Sequence, residues 1–143
     1  MDPEKISAGG DKKVGQISDT NDLRFHPRQN GLGIAVQLLA TRTPGAPVVD
    51  KKGKFLGFIS EFDILKALEA GKDLNKQTAE DIMAKDRQAI TADTTIAEAV
   101  RIMEKNRFLN LPVEKNGVVT GCVTRHDLLR AWIGLGLGLE LEG

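Results

Sequence analysis

Two short stretches of the sequence place a hydroxyl side chain three residues ahead of a carboxylate. They are GFISEFDIL, which contains Ser60 and Asp63, and GCVTRHDLL, which contains Thr124 and Asp127. The spacing predicts a capping box, in which both side chains bond to backbone N–H groups at the start of a helix. Because the helix dipole favours the ionised carboxylate, that group can also accept hydrogen bonds from a ligand. We expect capping at both motifs, and their repetition favours a ligand-binding role as well.

The second motif closes a run with the order strand, helix, strand, strand, helix. The predicted elements are a strand at 89–91, a helix with the apolar stripe Ile96, Ala99, Val100 and Met103, strands at 111–113 and 118–123 around an Asn116-Gly117 turn, and a helix at 125–132. The alternation of apolar residues and the Asn-Gly pair are typical of a hairpin. Asp93 or Thr94 is the predicted cap of the first helix.

The first motif closes a similar run, displaced by 64 or 65 positions. Its predicted elements are a strand at 24–26, a helix capped by Asn30 with the stripe Leu32, Ala35, Val36 and Leu39, strands at 46–49 and 55–59 around Lys52-Gly53, and a helix from Glu61 to near Gly71. We place the one-residue difference in length in the loop before Pro47, and we expect Gly31 and Gly33 to weaken the helix.

These patterns divide the chain into five segments. They are a disordered N-terminal segment at 1–16, repeat 1 at 17–71, a linker at 72–88 with a helical turn at 79–83, repeat 2 at 89–135 and a Gly/Leu tail at 136–143. The tail alternates glycine and leucine, and could extend the last helix, add an edge strand or seal a subunit contact.

Composition limits the classes of function. The chain has 143 residues, 41% of them hydrophobic, and 20 basic side chains balance 20 acidic ones. This balance argues against a nucleic-acid-binding face, and the absence of an apolar run of membrane-spanning length argues against a membrane protein. The charged N-terminus lacks the apolar core of a signal peptide, so a cytoplasmic location is expected. The single cysteine, Cys122, is expected in a buried strand.

The repeated order of elements, the Leu-Pro-Val strand and the Gly-x-[Val/Ile]-[Ser/Thr]-x-x-Asp motif resemble a tandem cystathionine-β-synthase (CBS) domain pair, or Bateman module, of the stand-alone bacterial type. The resemblance covers about residues 17–135. It implies an α+β fold in which two β-α-β-β-α repeats are related by a pseudo-twofold axis. It also implies a homodimer of modules that binds adenosine-containing ligands (AMP, ADP, ATP, NAD or S-adenosylmethionine) in clefts between repeats and transmits its state to a partner protein.

The resemblance also implies site residues. The motif carboxylates Asp63 and Asp127 would contact ribose, with Ser60 and Thr124 beside the sugar or phosphate. Asp63's cleft would be walled by Met83, Gln88, Leu109 and Asn110, and Asp127's cleft by Asp19, Arg24, Pro44 and Gly45, while Arg125 lies inside the second motif. Nucleotide sensors of this family carry basic residues just before the Leu-Pro strand. Here Leu109-Asn110 and Pro44-Gly45 offer no charge, although Arg24, Arg42 and Arg107 are nearby and could substitute. Glu61 would repel a phosphate, so Asp127's cleft is the better candidate for a nucleotide, and Asp63's cleft would be empty or take an uncharged adenosine moiety.

No catalytic or metal motif is found. His26 and His126 lie in different repeats and outside any nucleophile or metal-ligand spacing. We therefore predict no enzyme activity and no required cofactor. The alternative to a ligand sensor is an interaction scaffold whose clefts bind nothing and whose apolar helices build a dimer.

Overall fold

The computed structural model describes residues 8–18 and 20–137. The chain divides into two compact units, one made of residues 23–88 and 116–119 and the other of residues 1–22, 89–115 and 120–143. We call them the first-repeat unit and the second-repeat unit. Both combine strands with helices, so the predicted α+β class with two repeats is confirmed.

The first-repeat unit is built on a two-stranded antiparallel sheet. Its elements are α1 (Gly31–Thr41), β1 (Gly45–Val49), β2 (Phe55–Ser60), α2 (Glu61–Glu69) and α3 (Ala79–Ile82). The predicted strand at 24–26 is reduced to a parallel bridge between Phe25 and Val48, with hydrogen bonds of 2.9 Å on either side. Phe25, Ile34, Val48 and Ile59 are fully buried at the centre of its core.

The second-repeat unit has the same order of elements. These are β3 (Ile90–Thr91), α4 (Ile96–Asn106), β4 (Asn110–Lys115), β5 (Val118–Thr124, whose first two residues belong to the other unit) and α5 (Arg125–Trp132). Here β3 runs parallel to β4, with Ile90 opposite Val113. The core is centred on Ile96, Leu111 and Val123.

The segment before repeat 1 packs against repeat 2. We predicted disorder for residues 1–16, but residues 8–11 and 14–16 form short 3-10 helices. Val14 is buried in the second-repeat core, and its N–H donates to the carbonyl of Thr94 at 2.9 Å. Burial of this one apolar side chain offsets the polar composition that suggested disorder. Residues 1–7 lie outside the described part.

The predicted linker is part of the first-repeat core. Leu74 and Ala79 are buried there, and Phe58 and Ala84 exchange two backbone hydrogen bonds of 2.9 and 2.8 Å. Each repeat is thus completed by the segment that precedes the other repeat in the chain. For this reason the structural units differ from the sequence segments 17–71 and 89–135.

The caps are mostly as predicted. Asn30, Ser60 and Thr124 each accept a hydrogen bond from a backbone N–H of their helix. For α4 the prediction was wrong by one or two residues, since Thr95 is the cap and accepts from the N–H of Glu98.

The difference in length between the repeats lies in the hairpin and not before Pro47. Both first helices end on a left-handed arginine, Arg42 and Arg107, and each stands five residues before the strand proline. The hairpins differ, because five residues separate β1 from β2 whereas Asn116-Gly117 alone joins β4 to β5. Asp50 holds the longer turn by accepting from the N–H groups of Lys52 and Lys54 at 2.8 and 2.9 Å.

The buried face of α1 was wrongly predicted. Ile34 and Leu38 are buried, whereas Leu32, Val36 and Leu39 are 42%, 56% and 70% exposed. The stripe predicted for α4 is largely confirmed, because Ile96, Ala99 and Met103 are buried.

The beginning of the tail pairs as an edge strand would. Leu137 forms an antiparallel bridge with Ile17, and the N–H of Ser18 donates to the carbonyl of Gly136 at 2.8 Å. Residues 138–143 are outside the described part.

Candidate functional site

The first motif forms a reciprocal capping box at the start of α2. The Asp63 N–H donates to Ser60 Oγ at 3.2 Å, and the Ser60 N–H donates to Asp63 Oδ2 at 2.8 Å. The Ser60 hydroxyl donates to the same Oδ2 at 2.9 Å. Both residues are half-buried.

The second motif repeats this geometry at the start of α5. The Asp127 N–H donates to Thr124 Oγ1 at 3.2 Å, and the Thr124 N–H donates to Asp127 Oδ2 at 2.9 Å. In both motifs the capping bonds use Oδ2. Among the described residues, no hydrogen bond reaches Oδ1 of Asp63 or Asp127, so capping uses one oxygen of each carboxylate.

A third capping box lies outside the repeated motif. Thr78 and Asp81 cap α3 through bonds of 2.8 and 3.0 Å from the backbone and hydroxyl of Thr78 to Asp81 Oδ2. The backbone N–H of Thr78, and then its hydroxyl, lower the pKa of Asp81. This box has no glycine three residues before its threonine, and its carboxylate is exposed. It shows that capping alone needs neither the glycine nor the partial burial.

The motif glycines allow a second segment to approach the strand. A Cβ on Gly57 would lie 2.7 Å from Met83 Sδ and 3.0 Å from the carbonyl oxygen of Ala84. A Cβ on Gly121 would lie 2.6 Å from Thr20 Oγ1 and 3.1 Å from the carbonyl oxygen of Asn21. Because each glycine lacks a Cβ, the segment that completes the repeat can lie close to the capping motif. This places Met83 beside the first motif.

Asp63 also lines a small cavity of about 180 Å³ that sequence reasoning missed. Lys66, Lys72, Gln77 and Asp81 are among its other lining residues. The ammonium groups of Lys66 and Lys72 add positive charge next to the first motif, where the sequence indicated that Glu61 would repel a phosphate. The helical spacing of Asp63 and Lys66 could have indicated the first of them, but Lys72 reaches the cavity from beyond the helix.

Other predicted residues of the first-repeat unit lie at the strand ends. Gly45 pairs with Ser60 across the sheet, and the N–H of Glu61 donates to the carbonyl of Pro44 at 2.9 Å. Arg24 donates from Nη1 to the carbonyl of Val119 at 3.0 Å, so its guanidinium is engaged with the backbone. Gln88 is exposed.

The second-repeat unit separates its predicted residues. Asn110 is buried at the start of β4, whereas Leu109 is 49% exposed. Leu109 and Arg125 line a cavity of about 620 Å³ between α4 and α5, together with Val100, Arg107, Leu129 and Trp132. Asp127 is not among the lining residues, so Arg125 and Asp127 do not line this cavity together. Asp19 lies outside the described residues.

Two kinds of site are absent from the part of the chain that the structure describes. No helix there is long and apolar enough to cross a bilayer. No three His, Cys, Asp or Glu side chains within residues 8–18 and 20–137 are grouped as metal ligands.

Comparison with known proteins places these features in a family. A family model described as the CBS domain matches residues 14–70 and 79–134. An uncharacterized 17.7 kDa protein of Acidianus ambivalens is 33% identical over 120 residues, which are 83% of this chain and 72% of that protein.

Two crystal structures share the fold. A CBS-domain containing protein of Agrobacterium tumefaciens has a TM-score of 0.72 at 24% identity, over 86% of this chain and 95% of that one. The CBS domain pair of protein MJ0100, in complex with 5′-methylthioadenosine and S-adenosyl-L-methionine, has a TM-score of 0.71 at 28% identity. That match covers 83% of this chain and 94% of the other.

Proposed function

Because the chain belongs to the CBS-domain family, we propose that it is a regulatory module that binds an adenosine-containing ligand of the AMP, ADP, ATP, NAD or S-adenosylmethionine type. The two Ser/Thr-x-x-Asp motifs contact the ligand's ribose in this proposal, and the chain itself catalyses no reaction. The complex of the MJ0100 pair with two adenosyl compounds supports the choice of ligand class.

The observation that carries the proposal is that capping uses only one of the two oxygens of each motif carboxylate. Oδ2 caps the helix, and no described hydrogen bond involves Oδ1. A ribose presents two neighbouring hydroxyl donors, and a carboxylate accepts them in charge-assisted bonds of about 2.5–2.7 Å. Capping therefore fixes the carboxylate's orientation and leaves an acceptor for the sugar.

The residues just before the strand prolines, Pro47 and Pro112, favour a ligand that is recognised mainly through its nucleoside. Pro44-Gly45 and Leu109-Asn110 provide no cation there. Lys66 and Lys72, in the cavity that Asp63 lines, are candidates to bind a negative group on the ligand. An adenosyl compound without phosphate needs neither.

Regulation requires that the ligand bind one arrangement of the module more tightly than another. In our proposal this preference is transmitted to a second copy of the module and to a regulated partner protein. The exposed apolar side chains on α1 and α2 offer a surface on which such pairing can occur.

Thermal unfolding with and without millimolar AMP, ADP, ATP, NAD, S-adenosylmethionine and adenosine tests the proposal. A ligand at 100 times its dissociation constant stabilises the native state by about 2.7 kcal/mol, which raises the midpoint by several degrees. We expect one compound to give this shift. Absence of a shift with all six compounds would contradict ligand sensing.

Substitution of the carboxylates assigns the shift to the motifs. Asp63→Asn and Asp127→Asn should each reduce or abolish it, and the double variant should abolish it, because Asn lacks the ionised acceptor. Thr95→Ala is the matched control for Asp127→Asn, since it removes the capping side chain of α4, and Thr95 lines neither of the two cavities described above. Both lose about 1 kcal/mol or less of stability from capping, but only the motif variant should lose ligand response.

A scaffold that binds no ligand is the second candidate. The exposed leucines and phenylalanine on the helices favour it, because 49–70% exposure of Leu39, Phe62, Leu65 and Leu68 is typical of a protein-contact surface. Dimerisation without any ligand-dependent shift in the assay above would identify this function.

A further inference from the structure

The cavity between α4 and α5 in the second-repeat unit has the size of a small-molecule site. Its volume of about 620 Å³ lies within the range of about 300–1,000 Å³ that is typical of such sites. Its lining is mostly apolar, and Val100, Leu109 and Leu129 are 36%, 49% and 65% exposed. Asp127 does not line it, so this space is separate from the ribose contact proposed above. We call it the α4–α5 groove.

The two helices run in opposite directions along the groove. A Cβ on Gly10 would lie 3.0 Å from Ala97 Cβ, at the start of α4, and 2.6 Å from Trp132 Cη2, at the end of α5. The start of α4 is therefore beside the end of α5. It follows that Arg107, which caps the end of α4, and Arg125, which begins α5, stand together at the opposite end. The groove thus has an aromatic end and a basic end.

The basic end suits a carboxylate. Arg107 and Arg125 are exposed and line the groove with one acidic residue, Glu104, so the lining carries a net positive charge. A planar guanidinium donates paired, charge-assisted hydrogen bonds to the two oxygens of a carboxylate. An anion of this kind would therefore be oriented with its charge at the basic end and its apolar part towards Trp132.

The first-repeat unit does not have this combination at the equivalent positions. Arg42 corresponds to Arg107, but Glu61 corresponds to Arg125, so the two charges cancel. Leu68 corresponds to Trp132. The second repeat is therefore the one whose equivalent helices favour an anion with an apolar body.

We propose that the α4–α5 groove binds an aliphatic carboxylate, a fatty acid of medium chain length, as a second ligand of the module. The carboxylate bonds to Arg107 and Arg125, and the chain lies against Val100 and Leu129. Arg125 and Trp132 are seven residues apart, which is about 10 Å along α5 at 1.5 Å per residue. An extended acyl chain of medium length spans this distance. Burial of the chain supplies most of the affinity, and the two arginines select the anion.

Titration with sodium decanoate tests the proposal directly. Trp132 lines the groove and is the only tryptophan of the chain, so its emission reports on this site alone. Below the concentration at which decanoate forms micelles, we expect a saturable change in emission and one bound decanoate per chain in equilibrium dialysis. 1-Decanol has the same chain without the carboxylate, and it should bind about tenfold more weakly.

Substitution of the arginines assigns the charge contact. Arg107→Gln and Arg125→Gln should each raise the dissociation constant of decanoate about tenfold and leave that of decanol unchanged. Lys105→Gln, on α4 but not among the groove residues, is the matched control and should leave both constants unchanged. Circular dichroism and the unfolding midpoint check that each variant is folded.

Three results would overturn the proposal. The first is the absence of a saturable change in Trp132 emission, including the case in which emission depends only on protein concentration because a second copy covers the groove. The second is equal affinity for decanoate and decanol. The third is a decanoate dissociation constant that neither arginine substitution alters. The adenosine-dependent thermal shifts are a separate measurement, so either proposal can fail without the other.

Discussion

The two repeats fill equivalent space with different side chains. In the first-repeat unit, Gly45 stands where a Cβ would lie 2.5 Å from the Phe58 ring, and that ring is buried. The equivalent positions in the second-repeat unit hold Asn110 and Cys122, both buried. The pair Gly45 and Phe58 combines a small residue with a large one, whereas Asn110 is larger than Gly45 and Cys122 is smaller than Phe58. The comparison teaches that the repeats share the order of their elements while the side-chain volumes at equivalent buried positions differ in opposite directions.

The largest expected effect comes from breaking this compensation. Phe58→Cys should destabilise the protein by about 3–4 kcal/mol through the cavity it leaves. Gly45→Ala should cost about 1–3 kcal/mol, because the new Cβ meets the Phe58 ring and the carbonyl of Ile59. The double variant should lose less than the sum, which urea unfolding of all four proteins can measure.

The control for this cycle pairs Phe58→Cys with Gly33→Ala. A Cβ on Gly33 would meet nothing within 4 Å, so these two changes should be additive. If the Gly45 pair is also additive, the two side chains are not coupled and the comparison between the repeats fails.

A smaller effect on stability is expected from the two glycines of α1, which α4 lacks. Glycine in a helix costs about 0.5–1 kcal/mol relative to alanine, so Gly33→Ala should stabilise the protein by up to that amount. Gly31→Ala should instead destabilise it, since its Cβ would lie 2.9 Å from Ile82 Cδ1 and from the carbonyl oxygen of Leu74. Thermal unfolding gives both signs. Stabilisation by both changes would show that α1 is weakly held against the residues that follow α2.

The smallest effect sharpens the contrast between the hairpins. The N–H groups of Lys54 and Lys52 lower the pKa of Asp50 from its ordinary value of 3.8. The stability that the ionised carboxylate contributes is therefore present above about pH 3.8 and is lost as the pH falls through the lower, folded-state pKa. In a 15N NMR titration, the Lys52 and Lys54 amides should shift together below that pH.

The second hairpin provides the internal comparison for that titration. Its turn consists of Asn116 and Gly117 in left-handed conformations, with φ of 55° and 79°, and neither side chain titrates. The amides of this turn should not follow the same midpoint. Replacement of Asp50 by Asn should remove the midpoint from the first turn and leave the second unchanged.

The sequence predicted the buried face of a helix well where the charged residues leave only one apolar stripe. On α4 the charged residues Glu98, Arg101 and Lys105 leave one apolar stripe, and that stripe is buried. On α1 apolar residues occupy most positions from Leu32 to Leu39, so their spacing does not distinguish the core face from the exposed one. The capping boxes of the two motifs were predicted because their bonds are local in sequence.

Long-range features could not be predicted in this way. Lys72 reaches the cavity beside Asp63 from outside the helix, and Arg125 lines the cavity between α4 and α5 although it is two residues from Asp127. Both placements depend on packing between segments that are distant or differently oriented. The family resemblance identified the motifs, but it did not indicate which neighbouring charges lie beside each one.

The exchange of segments between the repeats affects the order in which the chain can fold during synthesis. The strand partner of Cys122, Asn21, and the buried Val14 leave the ribosome early, yet the core they complete includes Leu128 and Leu137. At about 5–20 residues per second, these early residues wait roughly 6–25 s for the rest of their unit. The first-repeat unit, which needs residues only up to 119, can close before the second. The unit that starts first is therefore the one that is finished last.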